Sequence, residues 1–244
     1  MTTLFFELCA ESYEAATAAQ AGGADRIELC SGLAQGGVTP EPALTAASVA
    51  AISIPVYVLI RPRTGDFAFT AQEFDLMRRQ IEEAKTAGAS GVATGVLLPD
   101  GRVDVERTRA LIEWARPMKV TFHRAFDETP DLCEALESVI ETGADSLLTS
   151  GGAAEVLHGA DCIGSLLRLA AGRIHIIAGG GLRLATLAQV VRRSGNLSLH
   201  GSLTRKNGHH TPQAAQALLE ADVREALRML RHEFSAMTAA TSQS

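Results

Sequence analysis

No uninterrupted apolar run in this chain approaches the roughly 18 residues that a membrane span needs, so none is expected. The start, Met1-Thr-Thr-Leu-Phe-Phe-Glu7, lacks the basic leader of a signal peptide and places Glu7 where its apolar core would lie. Positive charge is also short: 22 Lys and Arg stand against 28 Asp and Glu, a net −6 with His neutral. Nucleic acid is bound through a basic footprint, so it is not expected as a partner. Four Cys in 244 residues are too few for a disulfide scaffold and fit a reduced, cytoplasmic protein. Aromatics are sparse at 5%, with one Trp and two Tyr, yet 46% of residues are hydrophobic and only 20% charged. That composition excludes disorder.

What is present has a period. A βα unit takes about 30 residues, and eight such units account for the whole length. Strand-like runs fall at Leu4–Cys9, Arg26–Cys30, Val56–Ile60, Gly91–Leu97, Lys119–His123, Ser146–Thr149, Ile174–Ala178 and Leu197–His200. Longer stretches after them read as helices, most clearly Ser12–Ala21, Ala71–Ala87, Val105–Ala115, Asp131–Thr142 and Leu184–Arg193. Ser12, Thr70, Asp104 and Thr129 are expected N-caps, with Pro130 at a first helical position. Gly23-Ala24-Asp25, Gly88-Ala89-Ser90 and Gly143-Ala144-Asp145 recur before the second, fourth and sixth strands. Each Gly can close a helix in the left-handed conformation. The strands are mostly apolar, as in parallel sheets buried on both faces. The pattern predicts an α/β fold, a single (β/α)₈ TIM barrel over residues 1–233, with a flexible C-terminal tail over 234–244. An open doubly wound sheet would share the alternation; the eight-fold count and the position of the polar residues favour the barrel.

Those polar residues collect at strand ends, where such barrels place their sites. Alternation along a strand puts Glu7 and Cys9 on one face, and Arg26, Glu28 and Cys30 on another. On adjacent strands they form either a salt-bridged layer or a set of converging carboxylates and thiols. Cys9 and Cys30 suit a soft metal such as Cu(I). Cys133 and Cys162 fall on helices and read as structural. In Thr121-Phe122-His123-Arg124-Ala125-Phe126-Asp127, His123 can exchange protons, Arg124 can hold an anion, and Asp127 can orient either. His200 is the equivalent imidazole on the eighth strand; His158, His175, His209 and His210 have no clear partner. Ser150-Gly151-Gly152 and Gly179-Gly180-Gly181 are loops whose backbone N–H groups can cradle an anion. Arg61-Pro62-Arg63-Thr64-Gly65-Asp66 adds two cations and a carboxylate.

Five segments in order carry a family resemblance: Gly23-Ala-Asp-Arg-Ile-Glu-Leu-Cys30, Gly36-Gly-Val-Thr-Pro40, Ile60-Arg-Pro-Arg-Thr-Gly-Asp-Phe67, Thr121-Phe-His-Arg-Ala-Phe-Asp127 and Leu148-Thr-Ser-Gly-Gly152. From about Phe6 to Ser202 the chain closely resembles the CutC family of copper homeostasis proteins. The resemblance implies a TIM barrel, a cytoplasmic location, self-association as a homodimer, and copper binding with Cys9 and Cys30 as the Cu(I) ligands. It maps the family's polar residues onto Glu7, Arg26, Glu28, Arg61, Asp66, His123, Arg124, Asp127, His200 and Ser202. Thr94 departs from the family's aromatic, Ser146 from its Arg and Ser198 from its acidic residue. The residues themselves leave two functions open beside a non-catalytic scaffold, which the density of ionisable groups at the strand ends disfavours. One is copper handling at Cys9 and Cys30. The other is an enzyme on a small anionic, phosphorylated or other, substrate. In it Glu7, Glu28, His123, Asp127 and His200 exchange or direct protons. Arg26, Arg61, Asp66, Arg124, Ser150, Gly151, Gly180 and Ser202 hold the ligand, with no nucleotide cofactor.

Overall fold

The computed structural model describes residues 4–203 and 212–241. Eight parallel strands close into a barrel in sequence order. They are β1 (Phe5–Ala10), β2 (Arg26–Leu29), β3 (Val56–Leu59), β4 (Gly91–Thr94), β5 (Lys119–Phe122), β6 (Ser146–Thr149), β7 (His175–Gly179) and β8 (Ser198–Gly201). Around them lie α1 (Tyr13–Gly22), α2 (Pro42–Ala51), α3 (Ala71–Thr86), α4 (Val105–Ala115), α5 (Leu132–Thr142), α6 (Ala160–Ala170), α7 (Leu184–Ser194) and α8 (Pro212–Thr241). β1 pairs with β2 from Glu7 opposite Arg26 to Ala10 opposite Leu29, and with β8 from Phe5 opposite Ser198 to Leu8 opposite Gly201. No helix among the described residues is long and apolar enough to cross a membrane.

Four of the helices start where a short polar side chain meets their first turn. Ser12 accepts from the Ala15 amide, Asp104 from Arg107, and Thr70 forms a capping box with Glu73. The cap expected at Thr129 belongs to Asp131, whose carboxylate accepts from the Cys133 and Glu134 amides. Thr129 instead ends the preceding 3₁₀ turn, and Pro130 lies outside the helix. Within α5, Ala135, Leu136 and Val139 recur at helical spacing and face the barrel. Each Gly-Ala-Asp repeat has two tasks. Gly23 adopts φ 94° and returns its amide to Ala19 and Gln20, while the Asp25 carboxylate accepts from the Phe6 amide of the neighbouring strand. Asp145 does the same for Val120 and also holds Arg116 and Lys119.

Two boundaries depart from the sequence reading by more than one residue. β4 ends at Thr94 rather than Leu97, and Leu97 instead pairs antiparallel with Val103. Residues 234–241, expected as a flexible tail, continue α8. The helix is held there by long-range contacts: Arg192 grips the Glu233 carboxylate at 2.7 and 2.9 Å, and Met237 packs against the core. His209 and His210 lie outside the described residues.

Phe6, Leu8, Ile27, Leu29, Val58, Ile60, Val92, Val120 and Phe122 point outward into the layer between sheet and helices, where they form the main core. The opposite parity points into the lumen. Such lumens are ordinarily filled by branched aliphatics; this one is largely polar.

Candidate functional site

The lowest charged layer of the lumen holds Glu7 and Arg26, directly opposed in register and joined in a buried ion pair. The Arg26 guanidinium lies 3.9 Å from the centre of the Tyr57 ring and 4.8 Å from that of Phe5. Tyr57 fits there because Gly91 has no side chain: a Cβ would stand 2.5 Å from the ring. The other Glu7 oxygen is 2.7 Å from His200 Nδ1. Burial alone would raise the Glu7 carboxyl, but Arg26 and His200 outweigh it and hold it at about 2. Burial likewise disfavours a charged His200, yet Glu28 and Glu7 raise it above the ordinary imidazole range. With Glu7 ionised, Nδ1 is the donor, which leaves Nε2 as the nitrogen that can serve a ligand once its proton leaves.

One layer higher, at the mouth, lie Cys9, Glu28 and Cys30. The two sulfurs are 3.3 Å apart, and Cys9 Sγ is 3.7 Å from Glu28 Oε1. Cys9, Glu28 and His200 present one ligand atom each, all within 4.8 Å of one another, and all three are buried. The hydrogen bond with Cys30, burial and the charge of Glu28 together push the Cys9 thiol well above its ordinary value. Burial, offset by His200 but reinforced by Glu7, raises Glu28 to about 7. Glu28 can therefore take up or release a proton near neutrality.

Across the mouth stand Arg61 and His123. Arg61 donates to the carbonyls of Gly36 and Gly37 at 3.1 and 3.0 Å and of Gly65 at 2.7 Å, over the Phe67 ring. His123 Nδ1 accepts from the Ala125 amide at 3.3 Å, so the ring proton sits on Nε2. Burial and the Arg61 charge push its pKa down to about 3, which leaves it neutral. Its ring is packed edge-on against Phe67 and abuts Gly95, where a Cβ would be 2.9 Å from Nδ1.

These walls enclose a cavity of about 270 Å³ that brings together Cys9, Glu28, Cys30, Arg61, His123, Arg124, Gly180, His200 and Ser202. The structure places six other expected site residues elsewhere. Glu7 and Arg26 lie beneath the cavity, where they orient His200. Asp127, expected beside the chemistry, spends its oxygens on Arg124 Nε, the Thr149 hydroxyl and the Ser150 and Gly152 amides. Ser150 receives Arg124 and donates to Ala153, and Gly151 packs against Gly159, where a Cβ would be 2.4 Å from its carbonyl oxygen. Asp66 is exposed: it pairs with Arg63 at 2.9 Å and accepts from the Ala68 amide. Arg63 also reaches Glu73 and so turns away from the mouth.

Leu33, Gly36, Gly37, Leu59, Phe67, Leu148 and Gly181 also line the cavity and were not singled out as site residues. Strand parity with Arg61 identifies Tyr57 and Leu59 as lumenal; the loop residues carry no such local signal. Of the departures, the Thr94 hydroxyl reaches the Ile60 carbonyl at 3.2 Å, and Ser198 Oγ is 2.8 Å from His175 Nε2 at the base of the barrel. Cys133 is exposed on α5 and Cys162 half-buried on α6, both away from the mouth.

The CutC family profile matches residues 4–205. A protein of Caulobacter vibrioides named as a family protein CutC is 45% identical over 199 residues, spanning 82% of this chain and 81% of its own. The human copper homeostasis protein cutC homolog is 42% identical over 204 residues, spanning 83% of this chain and 75% of its own. The crystal structure of a Streptococcus agalactiae protein described as a putative copper homeostasis protein CutC has a TM-score of 0.77 and 27% identity, covering 83% of this chain and 100% of that one. By its fold, its ordered motifs and this match over most of its length, the chain belongs to the CutC family.

Proposed function

We propose that the chain is a copper homeostasis protein that takes Cu(I) as cargo at Cys9 and Cys30, with His200 as a third donor. The observation that carries this reading is the buried thiol pair, 3.3 Å apart beside an imidazole whose other nitrogen is held by Glu7. Thiolates select soft monovalent copper. A metal-ligating His commonly gives its second ring nitrogen to a carboxylate, as His200 does to Glu7. The donor set therefore fits the ion. Thiol protons must leave as the metal binds, and Glu28, raised to about 7 beside Cys9, is placed to accept one. Linear ligation would need the two sulfurs farther apart than 3.3 Å, whereas a bent site completed by His200 would not. The names of the human and streptococcal relatives support the copper role; a cytoplasmic location and a homodimer follow from the same resemblance.

Anaerobic titration of the reduced protein against a Cu(I) chelator tests this reading. One ion per chain is expected, with binding lost in the Cys9→Ser, Cys30→Ser double variant. Unchanged affinity in that variant sinks it.

A second reading is favoured by Glu28 itself. A buried carboxyl that titrates near pH 7 at a barrel mouth is the equipment of a general acid–base enzyme. Under it, Glu28→Gln abolishes turnover while Cys9→Ser does not.

A further inference from the structure

We propose that the Arg61–His123 side of the mouth is a binding site for a small carboxylate or phosphate monoanion, separate from the thiol pair. The inference does not rest on copper binding; it supplies a ligand class for the acid–base reading.

A buried charge without a contacting carboxylate stands in the wall. Arg61 is 7% exposed, and its three hydrogen bonds from the side chain all end on neutral backbone carbonyls. Its Nε is buried with no acceptor. No carboxylate among the described residues pairs with it, whereas Arg26 and Arg124 have Glu7 and Asp127. The residues outside the described set, 1–3, 204–211 and 242–244, contain no Asp or Glu. Arginine stays protonated in proteins, so a buried cation stands at the cavity wall with no carboxylate in contact, Glu128 acting on it only through space. Such a charge is costly unless something pairs it.

His123 lines the same cavity and carries a second unused donor. Its Nδ1 is occupied by the Ala125 amide, and its buried Nε2–H has no acceptor. Both side chains pack on Phe67, with the guanidinium 4.5 Å and the imidazole 5.0 Å from the ring centre. Arg61 is braced by two separate loops and His123 by Gly95 and Phe122, so both donors are fixed before a ligand arrives. The charge balance calls for one negative charge, since the imidazole is neutral. The cavity of about 270 Å³ sets the size. A cavity of that size suits a small ligand. Such a ligand would face Cys9 and Glu28 across the mouth.

The test is NMR of protein carrying ¹⁵N-labelled His, titrated separately with inorganic phosphate and with acetate at constant ionic strength. A saturable shift of the His123 Nε2 signal is expected, with the stronger of the two responses naming the source of the anion. Arg61→Lys keeps the charge but loses the planar fork and its Nε donor; it is expected to weaken binding roughly 10- to 100-fold. His123→Phe, read by the anion-induced rise in the unfolding midpoint, serves where Arg61→Lys does not fold. The titration uses reduced, metal-free protein, so its outcome does not depend on the copper reading, and Cys133→Ser, exposed on α5 away from the mouth, is the control expected to retain the response in full. The proposal is overturned if neither anion gives saturable binding to the folded wild type. It is equally overturned if binding survives unchanged in the folded Arg61 or His123 variant.

Discussion

Replacing Glu28 by Gln should stabilise the metal-free protein at alkaline pH and leave it nearly unchanged in mild acid. The carboxyl is 4% exposed and raised from its ordinary 4.5 to about 7. A carboxyl raised on folding contributes no penalty while protonated in both states, below about pH 4.5. As the pH climbs past that value, the unfolded chain ionises freely while the folded one resists, so stability falls until the pH exceeds about 7. At about 1.36 kcal/mol per pH unit, the interval amounts to about 3 kcal/mol of lost stability by pH 8. Gln has the shape of the protonated acid and never ionises, so the variant recovers that amount. For a chain of this length, about 3 kcal/mol moves the unfolding midpoint by about 6–12 °C. Thermal unfolding monitored by circular dichroism at pH 5 and pH 8, with chelator present, reads the effect directly. A Glu28→Gln variant no more stable than wild type at pH 8 would refute the burial argument. An equal gain at both pH values would assign it to packing instead.

Glu7 carries the opposite sign. Held at about 2 by Arg26 and His200, it adds stability above its ordinary 4.5 that disappears as the pH drops toward 2. Acid unfolding should therefore shift toward neutrality in Arg26→Met, which strands a buried carboxylate at a cost of about 3–5 kcal/mol in urea unfolding. Adding Glu7→Gln should restore part of that loss, and no restoration would mean the two side chains are not coupled. Gly180→Ala places a Cβ 2.9 Å from Arg124 Cζ at φ +111°, so destabilisation of about 1–3 kcal/mol is expected in the same assay. Gly95→Ala should displace the His123 ring and shift its ¹⁵N signals while Cu(I) binding stays intact.

Much of the barrel was legible because its strands are short apolar runs separated by capped helices. Ser12, Thr70 and Asp104 announced their helices through purely local chemistry. At Thr129 and Asp131 two capping residues stand close together, and only the packing of the 3₁₀ turn decides between them. The site was legible where strand parity applies. Cys9 with Cys30 and Arg26 with Glu7 follow from alternation and neighbouring strands. Beyond the strand ends parity lapses. Asp127 is three residues from Arg124 and looks like its partner at the mouth, but its remaining capacity is claimed by the β6 turn from more than twenty residues away. Asp66 follows Arg61 in the same motif, yet Arg63 draws it to the surface. The end of α8 carries no local signal for a similar reason: the side chain that holds Glu233 is Arg192, some forty residues earlier.

The charged layer inside the barrel makes the fold a reporter of its own occupancy. Glu7, Arg26, Glu28 and His200 are structural members of the wall and also set the charge of the mouth. An ion that binds only the closed barrel shifts the folding equilibrium by mass action, about 2.7 kcal/mol at a hundredfold excess over its dissociation constant. A cation at the thiols and an anion at Arg61 should each register in this way without any assay of turnover. A screen of metals and small acids by unfolding midpoint therefore interrogates both ends of the mouth in one measurement.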